Sequence, residues 1–320
     1  MRVKSFVFEE LDLMKIVLPV AGNGLRLRPY TENVPKCLLP VAGKTILDWI
    51  VEDSLSLKPA ETIFITGYKA EAVDSFLEKR PAWGKTRAVV QSNPQGLGEA
   101  VSLALPYVDD DEPVLIILGD TLFEADLSIL HNVDENILYT YKVEDPRRFG
   151  VAVTDSTGRI TRLVEKPQEF VSDEAIVGIY YIKDSKVLKQ CLKYLMDNNI
   201  RTKNEFQLTD ALQMMLEKGC HFRTAPVQKW LDCGLAETLL ETNAHVLKCI
   251  DNSASVNLPG VKVIAPCYIG KGVKIANSTI GPNVSVGDDC VIESSTISNA
   301  VLWDSVKVSG QTLDNVILHE

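Results

Sequence analysis

Between two apolar stretches the chain reads Val20-Ala21-Gly22-Asn23-Gly24-Leu25-Arg26-Leu27-Arg28-Pro29. Glycines let a backbone turn sharply and bring its N–H groups close to an anion. Two arginines follow at once, and Pro35-Lys36 comes ten residues after Arg26. A glycine-rich turn with cations beside it suits a polyphosphate. Three familiar motifs are excluded. A dinucleotide fingerprint needs a third glycine where Leu27 stands. Gly43-Lys44-Thr45 ends like a P-loop, but the first glycine of that motif would fall on Leu38. The kinase signature H-R-D is absent.

Further polar segments follow apolar runs in a fixed order. Gln91-Ser92-Asn93-Pro94-Gln95-Gly96-Leu97-Gly98-Glu99-Ala100 comes first, then Leu118-Gly119-Asp120. Val164-Glu165-Lys166-Pro167 and Trp230-Leu231-Asp232-Cys233-Gly234 come later. The elements that position them are legible. Residues 15–20, 62–66, 86–90 and 114–118 are short β-branched runs, and amphipathic patterns lie between them. Thr45 with Asp48 resembles a capping box, followed by Ile46, Leu47, Ile50, Val51 and Leu55 at helical spacing. Continuous apolar strands separated by such helices predict an α/β fold with a Rossmann-like, mainly parallel sheet covered on both faces. Ligands in such sheets sit beyond the carboxyl ends of the strands, so the loops after Val20 and Leu118 are the places to look.

From about Val261 the texture changes. Val263, Ile269, Ile275, Ile280, Val286, Ile292, Ile297, Leu302 and Val308 recur at intervals of six or five, and three of them precede a glycine. This is the period of a hexapeptide β-helix, here three to four coils long. The expected organisation is therefore a domain over 1–250, with its core from about 15, followed by a short left-handed β-helix over 251–320. So few coils leave open sheet edges, which a cap or a neighbouring chain must cover. The repeats are read as an oligomerisation element, and truncating 255–320 is expected to change oligomeric state more than chemistry. Acyl transfer, another use of such repeats, is disfavoured because no histidine lies between His245 and His319.

Composition narrows the classes. The chain has 320 residues, 33 basic against 43 acidic, for a net charge of −10. That gives no electrostatic footprint for nucleic acid. No apolar run approaches the ~18 residues of a membrane span, and the N-terminus lacks a signal-peptide pattern, so a cytoplasmic protein is expected. Seven cysteines, an odd number with no C-x-x-C pair, indicate neither a disulfide framework nor a zinc site. The run Asp109-Asp110-Asp111-Glu112 precedes a strand and reads as a solvated loop rather than a metal cluster.

Taken together and in order, these segments resemble the sugar-phosphate nucleotidyltransferases over roughly 15–247. The first loop and Glu205-Phe206-Gln207-Leu208-Thr209-Asp210 are similar to UTP–glucose-1-phosphate uridylyltransferases. Gln91, Pro94 and Gly96-Leu97-Gly98 are equally similar to glucose-1-phosphate thymidylyltransferases. The resemblance implies transfer of a nucleotidyl group from UTP or dTTP to a sugar 1-phosphate, releasing pyrophosphate. It makes Arg26 and Lys36 phosphate-binding catalytic residues and sets Lys166 on the sugar phosphate. Asp120 and Asp232 become Mg²⁺ ligands. Ala21, Gly22, Gly24, Gln91 and Gly96 fall to the nucleotide, and Gly150, Glu165 and Val177 to the sugar. Residues 1–13 precede the place where similar proteins begin and are read as an extension. One departure stands out: Leu25 replaces a threonine common in the family and removes a hydroxyl from the phosphate loop. The rival reading is a non-catalytic regulatory or assembly subunit of the same architecture.

Overall fold

The computed structural model describes residues 14–255 and 259–319; the extension read over 1–13 lies outside them. The described chain forms two compact units, and neither is one stretch of sequence. The first takes residues up to Ala21, Glu52–Leu118 and Glu124–Lys229. The second takes Gly22–Val51, Gly119–Phe123 and the chain from Trp230 onward. Compactness thus divides the chain differently from a linear boundary at 250, although helix does give way to short strands after Ile250.

The first unit is built on a nine-stranded sheet. Its parallel block runs Val114–Ile117, Lys15–Pro19, Glu61–Thr66, Thr86–Val90. Every residue of Glu61–Thr66 and of Val114–Ile117 is buried. That is why these strands read as unbroken apolar runs: helices cover both faces of a parallel sheet. Glu61 is the exception, and its carboxylate is surrounded by Arg87 at 2.9 Å, Lys85 at 3.4 Å and Lys15 at 3.9 Å. Strand Glu174–Ile182 joins Val114–Ile117 antiparallel. It also pairs antiparallel with Asn136–Lys142 and Gly150–Thr154, the latter carrying Ile160–Glu165. Helices Leu97–Ala104, Ser185–Asp197 and Leu208–Glu217 share one apolar core with these strands. The acidic run 109–112 is a loop in which Asp110 meets Lys189 at 2.9 Å and Lys186 at 3.6 Å. The hydrogen bond from Lys189 holds its carboxyl below the usual range.

The second unit carries the β-helix. Its strands stack in parallel with Lys262 facing Thr279, Thr279 facing Thr296, and Thr296 facing Thr312. A coil therefore takes 17 and then 16 residues instead of three full hexads, which is why the aliphatic spacing alternates between six and five. Ile275, Ile280, Val286, Ile292, Ile297, Leu302 and Val308 are buried in the coil interior. Each such side chain contributes about 1.5–3 kcal/mol of burial free energy. Val263 and Ile269, in the first coil, are only partly buried. Cys267 and Cys290 fill the same column as small apolar groups, and burial pushes the Cys267 thiol up to about 11. Helix Ala236–Ile250 packs against several coil strands and against the hairpin Pro40–Val41/Lys44–Thr45. The capping box at Thr45 forms: Asp48 Oδ2 accepts from the Thr45 amide at 3.0 Å, and Thr45 Oγ1 accepts from the Asp48 amide at 3.0 Å. Among the described residues no helix is long and apolar enough to cross a membrane.

Candidate functional site

In the second unit, three chain segments far apart in sequence bring four charged side chains together. The first is the loop after Ala21. Gly24 has φ +57°, and a Cβ there would meet the Thr31 methyl at 2.9 Å and Lys36 Cβ at 3.2 Å. Glycine is thus required both by the left-handed backbone and by close approach. Thr31 Oγ1 closes the loop by donating to Gly24 O at 2.9 Å. Gly22 differs: a Cβ there would touch nothing within 4 Å. Leu25 is exposed and Leu27 buried, which anchors the short helical turn Leu25–Leu27 that presents Arg26 to solvent.

Lys36 is buried in the turn Lys36–Leu38, and its Nζ lies 2.8 Å from Asp120 Oδ2. Asp120 heads the strand Thr121–Glu124, which pairs with Lys229–Asp232. The Cys233 amide donates to Asp120 O at 3.3 Å, fixing the two acid-bearing segments side by side. Asp232 Oδ1 accepts from the Gly234 amide at 2.8 Å. A Cβ on Gly234 would meet the two Asp232 carboxylate oxygens at 2.8 and 3.3 Å and Arg26 Nη2 at 3.1 Å. Arg26, Lys36, Asp120 and Asp232 therefore converge. Beneath them Cys37 and Cys233 are buried, and desolvation pushes each thiol up to about 12. Neither is a thiolate nucleophile at neutral pH.

Among the described residues no group of three or more His, Cys, Asp or Glu is placed to hold a metal. The pair Asp120 and Asp232 offers hard carboxylate oxygens only. That suits an ion that completes its octahedron with water and phosphate oxygens, as Mg²⁺ does.

The remaining sequence-derived residues lie in the first unit, where Ala21 closes its opening segment. The Ala21 carbonyl accepts from the Tyr68 amide at 3.2 Å. Gln91 is buried at the end of strand Thr86–Val90, and its amide nitrogen donates to Glu99. A carboxylate can only accept, so the Gln91 amide oxygen is turned away from Glu99. Gly96 has φ +122°, and a Cβ there would lie 2.6 Å from Phe206 O. Gly98 donates to Phe206 O at 2.8 Å, so both glycines let this loop lie against the segment before helix Leu208–Glu217.

Gly150 and Glu165 face each other across an antiparallel pair. Glu165 Oε2 accepts from Thr209 Oγ1 at 2.7 Å, and its Oε1 lies 3.1 Å from Lys166 Nζ. A Cβ on Gly150 would crowd Thr209 Oγ1 at 2.9 Å and Glu165 Oε2 at 3.0 Å. Lys166 is left-handed, with φ +45°, directly before Pro167. That geometry is disfavoured twice over, by chirality and by the following proline. Val177 is buried where the register of strand Glu174–Ile182 shifts, and a Cβ on Gly150 would touch its neighbour Ile176 at 3.5 Å, beyond Thr209 and Glu165. Glu99 and Thr209 carry no assignment in the sequence reading. Their partners lie 8 and 44 residues away, and no local pattern marks such pairs.

Asp210 adds a pH signature. Its Oδ2 is buried with no hydrogen-bond partner, and burial, reinforced by the Glu165 charge, raises its carboxyl. An acid raised in the folded state contributes stability below its ordinary pKa of 3.8, and that contribution is lost as pH rises through the folded value. Asp210→Asn is therefore expected to raise the melting temperature at pH 7, with the advantage disappearing below the ordinary carboxylate range. A variant that melts lower than the parent at pH 7 refutes this account.

Comparisons with known proteins agree on the class. Residues 15–249 match the family model described as nucleotidyl transferase. The chain is 31% identical to the low-salt glycan biosynthesis nucleotidyltransferase Agl11 of Haloferax volcanii, over 95% of this chain and 92% of that protein. It is 27% identical to a glucose-1-phosphate thymidylyltransferase of Streptomyces griseus, over 93% of this chain and 89% of the relative. The bifunctional protein GlmU of Methanocaldococcus jannaschii is 34% identical over 74% of this chain but only 55% of its own length. A UDP-glucose pyrophosphorylase solved with UDP-glucose superposes with a TM-score of 0.63 at 23% identity, covering 74% of this chain and 99% of that one, which is a likeness of fold. The converging phosphate-type residues, the fold and the family match lead to one conclusion: the chain belongs to the nucleotidyl transferase family, in its sugar-phosphate branch.

Proposed function

We propose that this protein transfers a nucleotidyl group from UTP or dTTP to a sugar 1-phosphate, with glucose 1-phosphate as the first candidate acceptor. The observation that carries the reading is the convergence of Arg26, Lys36, Asp120 and Asp232 from three separate segments. A sugar-phosphate oxygen attacks the α-phosphorus in line, a new P–O bond forms, and the α–β bridging oxygen leaves with pyrophosphate. The nucleophile is already anionic, so no side chain has to deprotonate it. The obstacle is charge, and catalysis rests on positioning and electrostatics. Arg26 and Lys36 offset the triphosphate charge, and Gly22 and Gly24 leave room for the phosphates along the loop backbone. Asp120 and Asp232 would hold Mg²⁺, which when bound would supply Lewis acidity to the phosphates. Lys166 pairs with the sugar phosphate, while Glu165 accepts from sugar hydroxyls in a pocket bounded by Gly150 and Val177. We further propose a homo-oligomer formed through the C-terminal repeats.

Base choice follows from Gln91. With Glu99 holding its amide nitrogen, the oxygen accepts from an imide N3–H, and the Gly96 amide adds a second contact. Uracil and thymine carry that N–H; cytosine presents an acceptor instead. CTP is expected to be ~10–100-fold poorer in kcat/KM, since a buried acceptor left unpaired costs about 1–3 kcal/mol. The test is pyrophosphate release across UTP, dTTP, CTP and ATP against several sugar 1-phosphates with Mg²⁺. Equal use of CTP and UTP refutes the assignment of Gln91. No turnover with any pair favours a non-catalytic subunit, the reading to which Leu25 already points.

A further inference from the structure

We propose that the C-terminal coils position the phosphate loop, acting through Asn243 and His319. What the loop does rests on the function proposed above; that the coils hold it rests on geometry alone. Residues 22–39 contain no strand, only the two short turns at Leu25–Leu27 and Lys36–Leu38. Ordering such a segment costs about 1–2 kcal/mol per residue in backbone entropy, so something must hold it.

Two clamps do so, one from the last coil and one from helix Ala236–Ile250, which packs on the coils. At the middle of the loop, the ring of His319 meets Tyr30 edge-on, with centroids 5.5 Å apart at 89°. His319 also packs on Trp303, 5.4 Å away, so the last coil presents a preformed aromatic seat. Thr31, the next residue, closes onto Gly24 O. Beyond Lys36, the hairpin Pro40–Val41/Lys44–Thr45 is gripped at its tip. Asn243 is fully buried; its Oδ1 accepts from the Ala42 amide at 2.9 Å and from Ser285 Oγ at 2.8 Å, and its Nδ2 donates to Asn283 O at 3.3 Å. One amide thus ties the hairpin to a coil. Ala42 is left-handed at φ +49°, and Tyr268 lies so close over Gly43 that a Cβ there would meet its ring. From the hairpin the hold passes to Lys36 by backbone bonds: Ile46 donates to Leu39 O at 3.0 Å, and Leu39 donates to Lys36 O at 3.1 Å. Asn243 and His319 are positioning residues, since neither lies among the charged groups at the site.

The experiment compares full-length protein with Asn243→Leu and the milder His319→Ala by peptide-level hydrogen exchange. Both variants are expected to exchange ~10-fold faster over residues 22–45, with strands Lys15–Pro19 and Glu61–Thr66 unchanged, because the loop opens locally without global unfolding. KM for the nucleoside triphosphate should rise while KM for the sugar 1-phosphate stays constant. A merely structural role would lower the active fraction and leave both KM values alone. Unchanged exchange over 22–45 in His319→Ala, or exchange rising equally in the sheet strands of both variants, overturns the proposal. A parent protein without turnover defeats the proposed function, and the exchange data still decide the positioning role.

Discussion

Asp120→Asn and Asp232→Asn are each expected to lower turnover by ~10²–10³-fold, the size of losing one preorganised charge-stabilising group, with the fold intact. Asparagine keeps the shape of the side chain. At position 232 its oxygen still accepts from the Gly234 amide, so the turn that brings Arg26 alongside survives. At position 120 its oxygen still accepts from Lys36 Nζ. What disappears is the negative charge that a hard divalent cation requires. Pyrophosphate release measured across a Mg²⁺ titration, with thermal melts alongside, checks this. Full activity in either variant removes that residue from the proposed metal site, and a collapsed melt assigns the loss to folding.

Lys36→Met is expected to separate catalysis from stability. Lys36 is buried, but its partner Asp120 is 46% exposed in its side chain. Water screens such a pair, and its contribution to stability is at most about 1 kcal/mol. Methionine replaces the buried lysine stem with apolar atoms and leaves Asp120 solvated. The melting temperature should therefore move little, while kcat falls ~10²–10³-fold, because in the proposed reaction a fixed cation near the transferring phosphoryl group has no replacement. Arginine should not rescue, since its planar guanidinium is not a single-ammonium replacement for the buried Lys36 Nζ that sits 2.8 Å from Asp120 Oδ2. A Lys36→Met enzyme that melts far lower yet turns over normally reverses the assignment and makes the lysine structural.

Much of the fold was legible because its signals are local or periodic. Unbroken apolar runs at Thr62–Thr66 and Val114–Leu118 could only be strands covered on both faces, and the aliphatic column from Ile275 to Val308 carried the coils. The capping box at Thr45 was readable from two residues. What escaped depends on contacts between distant segments. Cys267, Val284, Cys290, Ala300 and Val306 complete the coil interior, but thiols and alanine do not announce themselves in a hexad search, and Val284 and Val306 each sit two residues before a valine already counted in the hexad column. The Gln91–Glu99 and Glu165–Thr209 pairs decide where an amide and a carboxylate point, yet no sequence pattern names such partners. The division into units escaped most completely. The loop from Gly22 to Leu39 follows the first strand in sequence but packs with the coils, so a truncation of 255–320 removes Tyr268 and His319, with the Trp303 that backs it, as well as any surface for assembly.

The interrupted make-up of the second unit also constrains how the protein is born. Gly22–Val51 leaves the ribosome early, but its partners arrive only with Gly119–Phe123 and then with the chain from Trp230. Because Tyr30 waits for His319, the nascent loop stays without its seat until residue 319 has been made, whereas the first unit has all its strands by Pro226. Contacts this far apart in sequence form slowly and leave apolar surface open in the interval. Translation stalled between residues 230 and 300 should therefore yield a folded sheet bearing an unstructured arm over residues 22–45, visible as a protease-sensitive band there on the ribosome-bound chain.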